Sequence, residues 1–234
     1  MGKNSKIEWC DHTWNPWTGC TWVSEGCDHC YMVRALKRFG RNPAMIMKTS
    51  DRTFYLPNRL KGGRVFVCSW SDFFHPAAAT WQGEAFRVME ENKQCTFLLL
   101  TNRPYMLTML PDYWQERPLS NVWLGVSVEN EEYYSRIFVL KTVPAAKRFL
   151  SLEPLLGPMP GIKSRMTDID WVIVGGESGP KARPMNLDWA REVRDACKEK
   201  GVPFFFKQVG GNRKIDGAWG GDKLDGIKHQ EFPA

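Results

Sequence analysis

From residue 64 onward the chain alternates between short runs of apolar residues and longer stretches whose apolar positions recur at helical spacing. The runs at 64–68, 96–100, 122–126, 148–152, 171–174 and 203–207 are almost continuously hydrophobic. That is the pattern of parallel strands covered on both faces, not of strands with one wet side. Between them, 79–92 and 187–200 predict amphipathic helices. The second carries Leu187, Ala190, Val193, Ala196 and Cys197 on one stripe, with Asn186 placed to cap its start and Gly201 to end it. The segment 131–141 predicts a further helix, whereas the Gly- and Pro-rich stretch 155–170 reads as loop. Upstream, a short strand at 13–15 and a helix at 31–39 bracket a cysteine-bearing segment. Strand–helix alternation of this kind belongs to an α/β protein of six or seven βα units, and it is shared by closed barrels and open sheets.

Each apolar run ends where polarity returns, and ligand sites in such folds lie at the carboxyl ends of the strands. Ser69, Ser71 and Asp72 follow the first run, and Thr101, Asn102 and Arg103 the second. Ser127, Glu129 and Asn130 follow the third, Ser151 and Glu153 the fourth, Gly175, Gly176, Glu177 and Ser178 the fifth, and Lys207 and Gln208 the sixth. Together they predict a polar ring large enough for a nucleotide-sized ligand. Gly175 and Gly176 would let a ligand approach the backbone closely, with Arg183 within reach of the same edge.

Composition adds bounds. The 234 residues are 43% apolar, enough for one core, so a single domain is expected. It divides into a cysteine loop and first helix over 1–40, βα units over 64–209, and a turn-rich cap or lid over 210–234. The net charge of +6 comes from scattered basic residues and permits an anionic partner without requiring one. No apolar run approaches membrane-span length and the amino terminus lacks a signal-peptide core, so a soluble, cytoplasmic protein without membrane association is expected. Five of the eleven tryptophans fall in or near the cysteine segment and the strand after it, suiting either core packing or a dry wall around a cofactor.

Seven cysteines, an odd number with a single tight cluster, do not form the pattern of a secreted disulfide framework. The cluster is Cys20, Cys27 and Cys30 in WNPWTGCTWVSEGCDHCY, spaced C-x6-C-x2-C, with Gly19 and Gly26 before two of the thiols. Three thiolates on one loop suit three irons of a [4Fe–4S] cubane and leave the fourth open to an external ligand. A zinc knuckle completed by Cys10, His12 or His29, a redox dithiol at Cys27 and Cys30, and three unliganded thiols are the alternatives.

The cysteine spacing resembles a variant of the radical S-adenosylmethionine (SAM) motif, and the strand alternation resembles that superfamily's partial (βα)6 barrel. More specifically, TWNPWTGCTWVSEGCDHCY, VFVCSWSDFFH, LLLTNRP, WLGVSVEN, RFLSLEPLLGP, DWVIVGGESGPKARPM and GVPFFFKQVGG resemble, in order and along nearly the whole chain, a phage-associated three-cysteine-motif family. The resemblance implies a single radical SAM domain with an amino-terminal cluster loop and an irregular carboxyl-terminal cap. Cys20, Cys27 and Cys30 would hold the cluster, and SAM would bind its open iron. Ser69, Ser71 and Asp72 would meet the methionine moiety, Ser127 and Glu129 the ribose or amino acid part, and Gly175, Gly176 and Glu177 the adenine edge. His29 would lie near adenine, and Glu153 and Lys207 would face the substrate. Reductive cleavage of SAM, fed by an external donor such as flavodoxin or ferredoxin, would act on a nucleotide or on a modified pyrimidine base of phage DNA, in the host cytoplasm. The competing expectations are a zinc-stabilised nucleic-acid-binding or interaction module and an iron–sulfur protein that only transfers electrons or senses.

Overall fold

The apolar runs pair side by side in the order in which they occur along the chain. In the computed structural model, which describes residues 4–234, seven strands form one parallel sheet. They are β1 (His12–Trp14), β2 (Gly63–Val67), β3 (Cys95–Thr101), β4 (Val122–Ser127), β5 (Lys147–Leu152), β6 (Trp171–Gly175) and β7 (Phe204–Gln208). The register places Trp14 against Val67, Val67 against Leu99, Leu99 against Leu124, and Val174 against Phe206. The first three residues of the expected amino-terminal segment lie outside the described part.

The sheet has two buried faces of different character. On one, Val65, Val67, Phe97, Leu99, Leu124, Val126, Leu150, Val172 and Phe206 pack under the helices. These are α2 (Ala79–Glu91), α3 (Ser135–Lys141) and α4 (Leu187–Lys200), preceded in the chain by α1 (Tyr31–Arg38), whose buried Met32 and Leu36 lie outside that cluster. On the other, the alternate residues Phe66, Leu98, Phe149, Trp171, Ile173 and Phe205 meet one another with Trp9 and Cys10. Such a core without helices requires a curled sheet. The Trp9 ring lies 4.6 Å from Phe66 of β2 and 6.4 Å from Trp171 of β6. On a flat sheet those strands would stand about 19 Å apart. The strands therefore form a parallel half-barrel, with the helices outside and aromatic rings filling the amino-terminal half of the hollow.

Local signals account for most boundaries. Asn186 accepts the Asp188 N–H at 2.9 Å, and Gly201 ends α4 in the left-handed conformation at φ 66°. The predicted helix 131–141 is interrupted: Asn130 accepts the Glu132 N–H at 2.8 Å and starts a 3-10 turn, Glu131–Tyr133, before α3. The β3–β4 crossover consists of 3-10 turns at Pro104–Met109 and Asp112–Gln115, and 155–170 holds one helical turn, Ile162–Arg165.

The tail expected as an irregular cap divides between the two ends of the barrel. Residues 209–221, with a small hairpin of Lys214–Ile215 on Ala218–Trp219, lie against the turn after β6: the Gly211 N–H donates to Glu177 O at 2.7 Å. Farther along, Phe232 packs on Trp171 and Phe205 with the Arg64 guanidinium 3.7 Å from its ring, which closes the amino end of the hollow. Among the described residues no helix is long and apolar enough to cross a membrane.

Candidate functional site

The segment carrying Cys20, Cys27 and Cys30 lies across the carboxyl ends of the strands, and three carboxylate–arginine pairs hold it there. After β2, Asp72 pairs with Arg103 at 3.1 Å, and Arg103 also donates to Thr21 O and Thr21 Oγ1 at 2.8 Å. After β4, Glu129 accepts from Arg136 at 3.0 Å and from the Ser24 hydroxyl at 2.5 Å. After β6, Glu177 pairs with Arg183 at 2.7 Å and with His29 Nδ1 at 2.8 Å, while Arg183 donates to Glu25 O at 2.7 Å. Alternate strands thus pin the loop near its beginning, middle and end.

All three carboxylates are buried, and a buried charge persists only when paired and fully hydrogen-bonded. Asp72 meets that condition by also accepting from Thr101 Oγ1 and the Phe74 and Asn102 N–H groups. Burial acts to raise the Glu177 carboxyl, yet the hydrogen bonds from Arg183 and His29 outweigh it and hold Glu177 below the usual carboxylate range. Arg103 shows the complementary balance: burial opposes its charge, and Asp72 together with Cys20 raises it. Gly26 exists for this packing, since a Cβ there would stand 2.5 Å from Glu129 Oε1.

The three loop thiols are partly exposed, whereas Cys10, Cys68, Cys95 and Cys197 are buried. Cys27 lies near enough to both Cys20 and Cys30 to disfavour a second negative charge on either. Burial, then the Asp72 charge, pushes the Cys20 thiol up to about 11, although an Arg103 N–H points at its sulfur from 3.5 Å. Cys30 caps the start of α1, where burial raises its thiol against the lowering effect of the Val33 and Met32 N–H groups. Among the described residues no three His, Cys, Asp or Glu side chains already stand as a metal-holding group. The fit to a cluster therefore rests on the donor chemistry: three neighbouring thiols on one pinned loop, with an arginine and a helix start facing two sulfurs and offsetting part of the burial that disfavours their thiolates.

Beneath the loop, the polar end of the hollow holds Glu153 and Lys207, paired at 2.7 Å. Ser151 donates to Glu153 Oε2 at 3.2 Å, and the buried Ser127 belongs to the neighbouring strand. Tyr31 reaches in from the start of α1 and donates to Ser69 O at 2.5 Å, its hydroxyl near Cys30 and Glu153. Ser69 Oγ exchanges hydrogen bonds with Asn15 at 3.0 and 3.3 Å.

Several of the residues expected to meet a ligand already carry partners within the chain. Asp72, Glu129, Glu177 and His29 are engaged by the loop and its arginines. Ser71 donates to Gly19 O at 2.6 Å, which ties the loop a fourth time. Close approach at Gly176 is made by the chain itself, because a Cβ there would lie 1.9 Å from Val209 O. At Gly175 the neighbour is the Glu153 carboxylate, 2.9 Å from a Cβ position. Ser127, Glu153 and Lys207 remain grouped at the mouth. Sequence reasoning missed Ser24, Tyr31 and Arg136. Arg136 carried no signal, because a single arginine in an amphipathic helix is ordinarily solvated. Tyr31 directly follows the last cysteine, and that adjacency could have marked it.

Fold and site together define an α/β half-barrel protein with a three-cysteine loop clamped over a polar mouth. The chain belongs to the family described as protein of unknown function (DUF5131), whose model matches residues 4–233. No curated protein and no solved structure matches it.

Proposed function

We propose that the protein is a radical SAM enzyme, with Cys20, Cys27 and Cys30 holding a [4Fe–4S] cluster at the mouth of a partial barrel of that superfamily's type. The observation carrying this reading is the triple clamp, since three ion pairs built on buried carboxylates at the ends of alternate strands fix a loop that carries three neighbouring thiols. Bound there with SAM on its open iron, the cluster would supply reductive cleavage of SAM to methionine and a 5′-deoxyadenosyl radical that takes a hydrogen atom from the substrate.

The chain's own groups position and shield. Arg103 donates toward the Cys20 sulfur and is itself held by Asp72, an outer contact of the kind that orients a thiolate ligand and tunes its metal. The aromatic floor of Phe66, Phe149, Trp171 and Phe205 excludes water from below. Ser127 and the backbone at Gly175 would border SAM, while Glu153 and Lys207, paired with each other at 2.7 Å, would offer one acceptor and one donor to the polar edge of a substrate. That pair suits a nucleotide or a modified pyrimidine base. A low-potential carrier such as flavodoxin or ferredoxin would supply the electron.

Anaerobic reconstitution followed by product analysis tests the reading. Brown protein with about four irons and four sulfides per chain is expected. With reductant and SAM it should yield 5′-deoxyadenosine, and Cys20→Ala, Cys27→Ala or Cys30→Ala should each abolish both iron retention and product. Colourless protein with one zinc would overturn the proposal, and a cluster without 5′-deoxyadenosine would leave only electron transfer or sensing.

A further inference from the structure

The outer surface beside the cysteine loop has a composition unlike the rest of the chain. From residue 29 to residue 50 there is no Asp or Glu, and there are five cations, Arg34, Lys37, Arg38, Arg41 and Lys48. Lys48 pairs with Glu84, but among the described residues no carboxylate forms an ion pair with the other four. Arg34 donates to the Ser178 and Pro180 carbonyls, and Arg41 to Thr18 Oγ1 and Met47 Sδ, so these charges are held in place without being neutralised. Tyr31, Arg34 and Arg38, at i, i+3 and i+7, share one side of α1. Aromatic side chains accompany them, with Phe39 at 68%, Trp22 at 65% and Tyr31 at 48% exposure. The strip begins at the site, because the Tyr31 hydroxyl donates to Ser69 O and lies near Cys30 and Glu153.

We propose that this strip, from Tyr31 along α1 to Phe39 and Arg41, is a track for single-stranded nucleic acid that delivers a nucleotide to the mouth of the half-barrel. Unneutralised arginines present forked donors that match phosphate oxygens, and exposed aromatic faces stack bases whatever their sequence. An acidic protein would meet the same charges. A strand is favoured because the acceptor–donor pair Glu153–Lys207 lies inside the mouth, which a thin, flexible polymer with an extruded planar base can enter and a folded surface cannot. The inference rests on the proposed function only for what happens to the delivered base, and binding along the track stands apart from it.

The test is fluorescence anisotropy of a labelled 12-nucleotide single-stranded DNA with the full chain over a range of salt concentrations. Engagement of three to four phosphates gives a log–log salt slope of roughly −2 to −3. The double substitution Lys37→Glu with Arg38→Glu should weaken binding at least about tenfold and flatten the slope by about 1.4. Phe39→Ala should weaken it roughly tenfold with the slope unchanged, the signature of lost stacking. A control of equal charge change, Lys198→Glu with Lys200→Glu at the end of α4, should leave affinity close to that of the unaltered chain. Equal weakening by both double variants, or none by the Lys37/Arg38 variant, overturns the track. So does unaltered protein that ignores the oligonucleotide yet binds poly-glutamate through Lys37 and Arg38, which would make the strip a surface for an acidic protein. Absence of iron or 5′-deoxyadenosine would sink the radical reading while leaving the anisotropy result standing, so the two failures are distinguishable.

Discussion

The two ends of the half-barrel's hollow are built from the same strands and yet do opposite things. At the amino end, Trp9, Phe66, Phe149, Trp171 and Phe205 interlock and Phe232 of the tail packs against Trp171 and Phe205. At the carboxyl end the same strands finish in Asp72, Glu129, Glu153, Glu177 and Lys207, every one of them paired. Burial of apolar area carries the first region. In the second, buried ion pairs add little net stability against a hydrophobic replacement, but losing one partner leaves a stranded charge, so they enforce a geometry. That division separates what holds the barrel together from what aims the cysteine loop.

Substitutions at the two ends should therefore differ in size and in kind. Trp171→Ala, at the floor, should cost about 3–5 kcal/mol in denaturant unfolding, because it empties a fully buried site packed by rings on several sides. Arg136→Ala should cost about 3 kcal/mol by stranding Glu129, with Arg136→Met together with Glu129→Leu recovering much of it. If that double variant also kept the loop cysteines competent for iron, the middle clamp would be dispensable.

Asn186→Ala, remote from both ends, should cost about 1 kcal/mol as a lost helix cap and leave iron retention untouched. Smallest in stability is Glu153→Gln, expected at less than about 1 kcal/mol because its partner Lys207 is partly exposed, yet it should lose product formation. A destabilisation as large as that of Trp171→Ala would erase the distinction between floor and mouth.

Acidity probes the clamp directly. The native Glu177 carboxyl is held below its unfolded value, so the unfolded chain takes up the proton first as pH falls. The stabilisation is complete above the ordinary carboxylate pKa of about 4.3 and is lost as pH drops through the lower native value. Glu177→Gln should flatten the stability profile in that window, measured by urea unfolding between pH 5 and the acid limit of folding. An unchanged profile would mean that another carboxylate dominates.

Much of the scaffold was legible in the chain, for local reasons. The apolar runs became strands with ends within a residue or two of those expected, since an uninterrupted run bounded by turn residues has few other uses. Helix α4 kept its cap and its stop, because both are backbone chemistry of neighbouring residues. The break at 131–141 was less visible, as the Asn130 side-chain bond that starts the 3-10 turn competes with a helical pattern otherwise intact.

The site divides along the same line. By itself the sequence determined the parallel α/β order, the three thiols on one loop, the polar residues at each strand end and the missing acids between residues 29 and 50. Each of these is a property of residues near one another in the chain. Only the tertiary structure decided that Glu129 holds Ser24 from 105 positions away and that Glu177 holds His29 from 148. It alone gave the backbone approach at Gly176 to Val209 and showed Arg34 and Arg41 held by carbonyl, hydroxyl and thioether partners. A carboxylate at a strand end looks the same in sequence whether it faces a ligand or an arginine. The curl of the sheet chooses between them by fixing which side chains become neighbours.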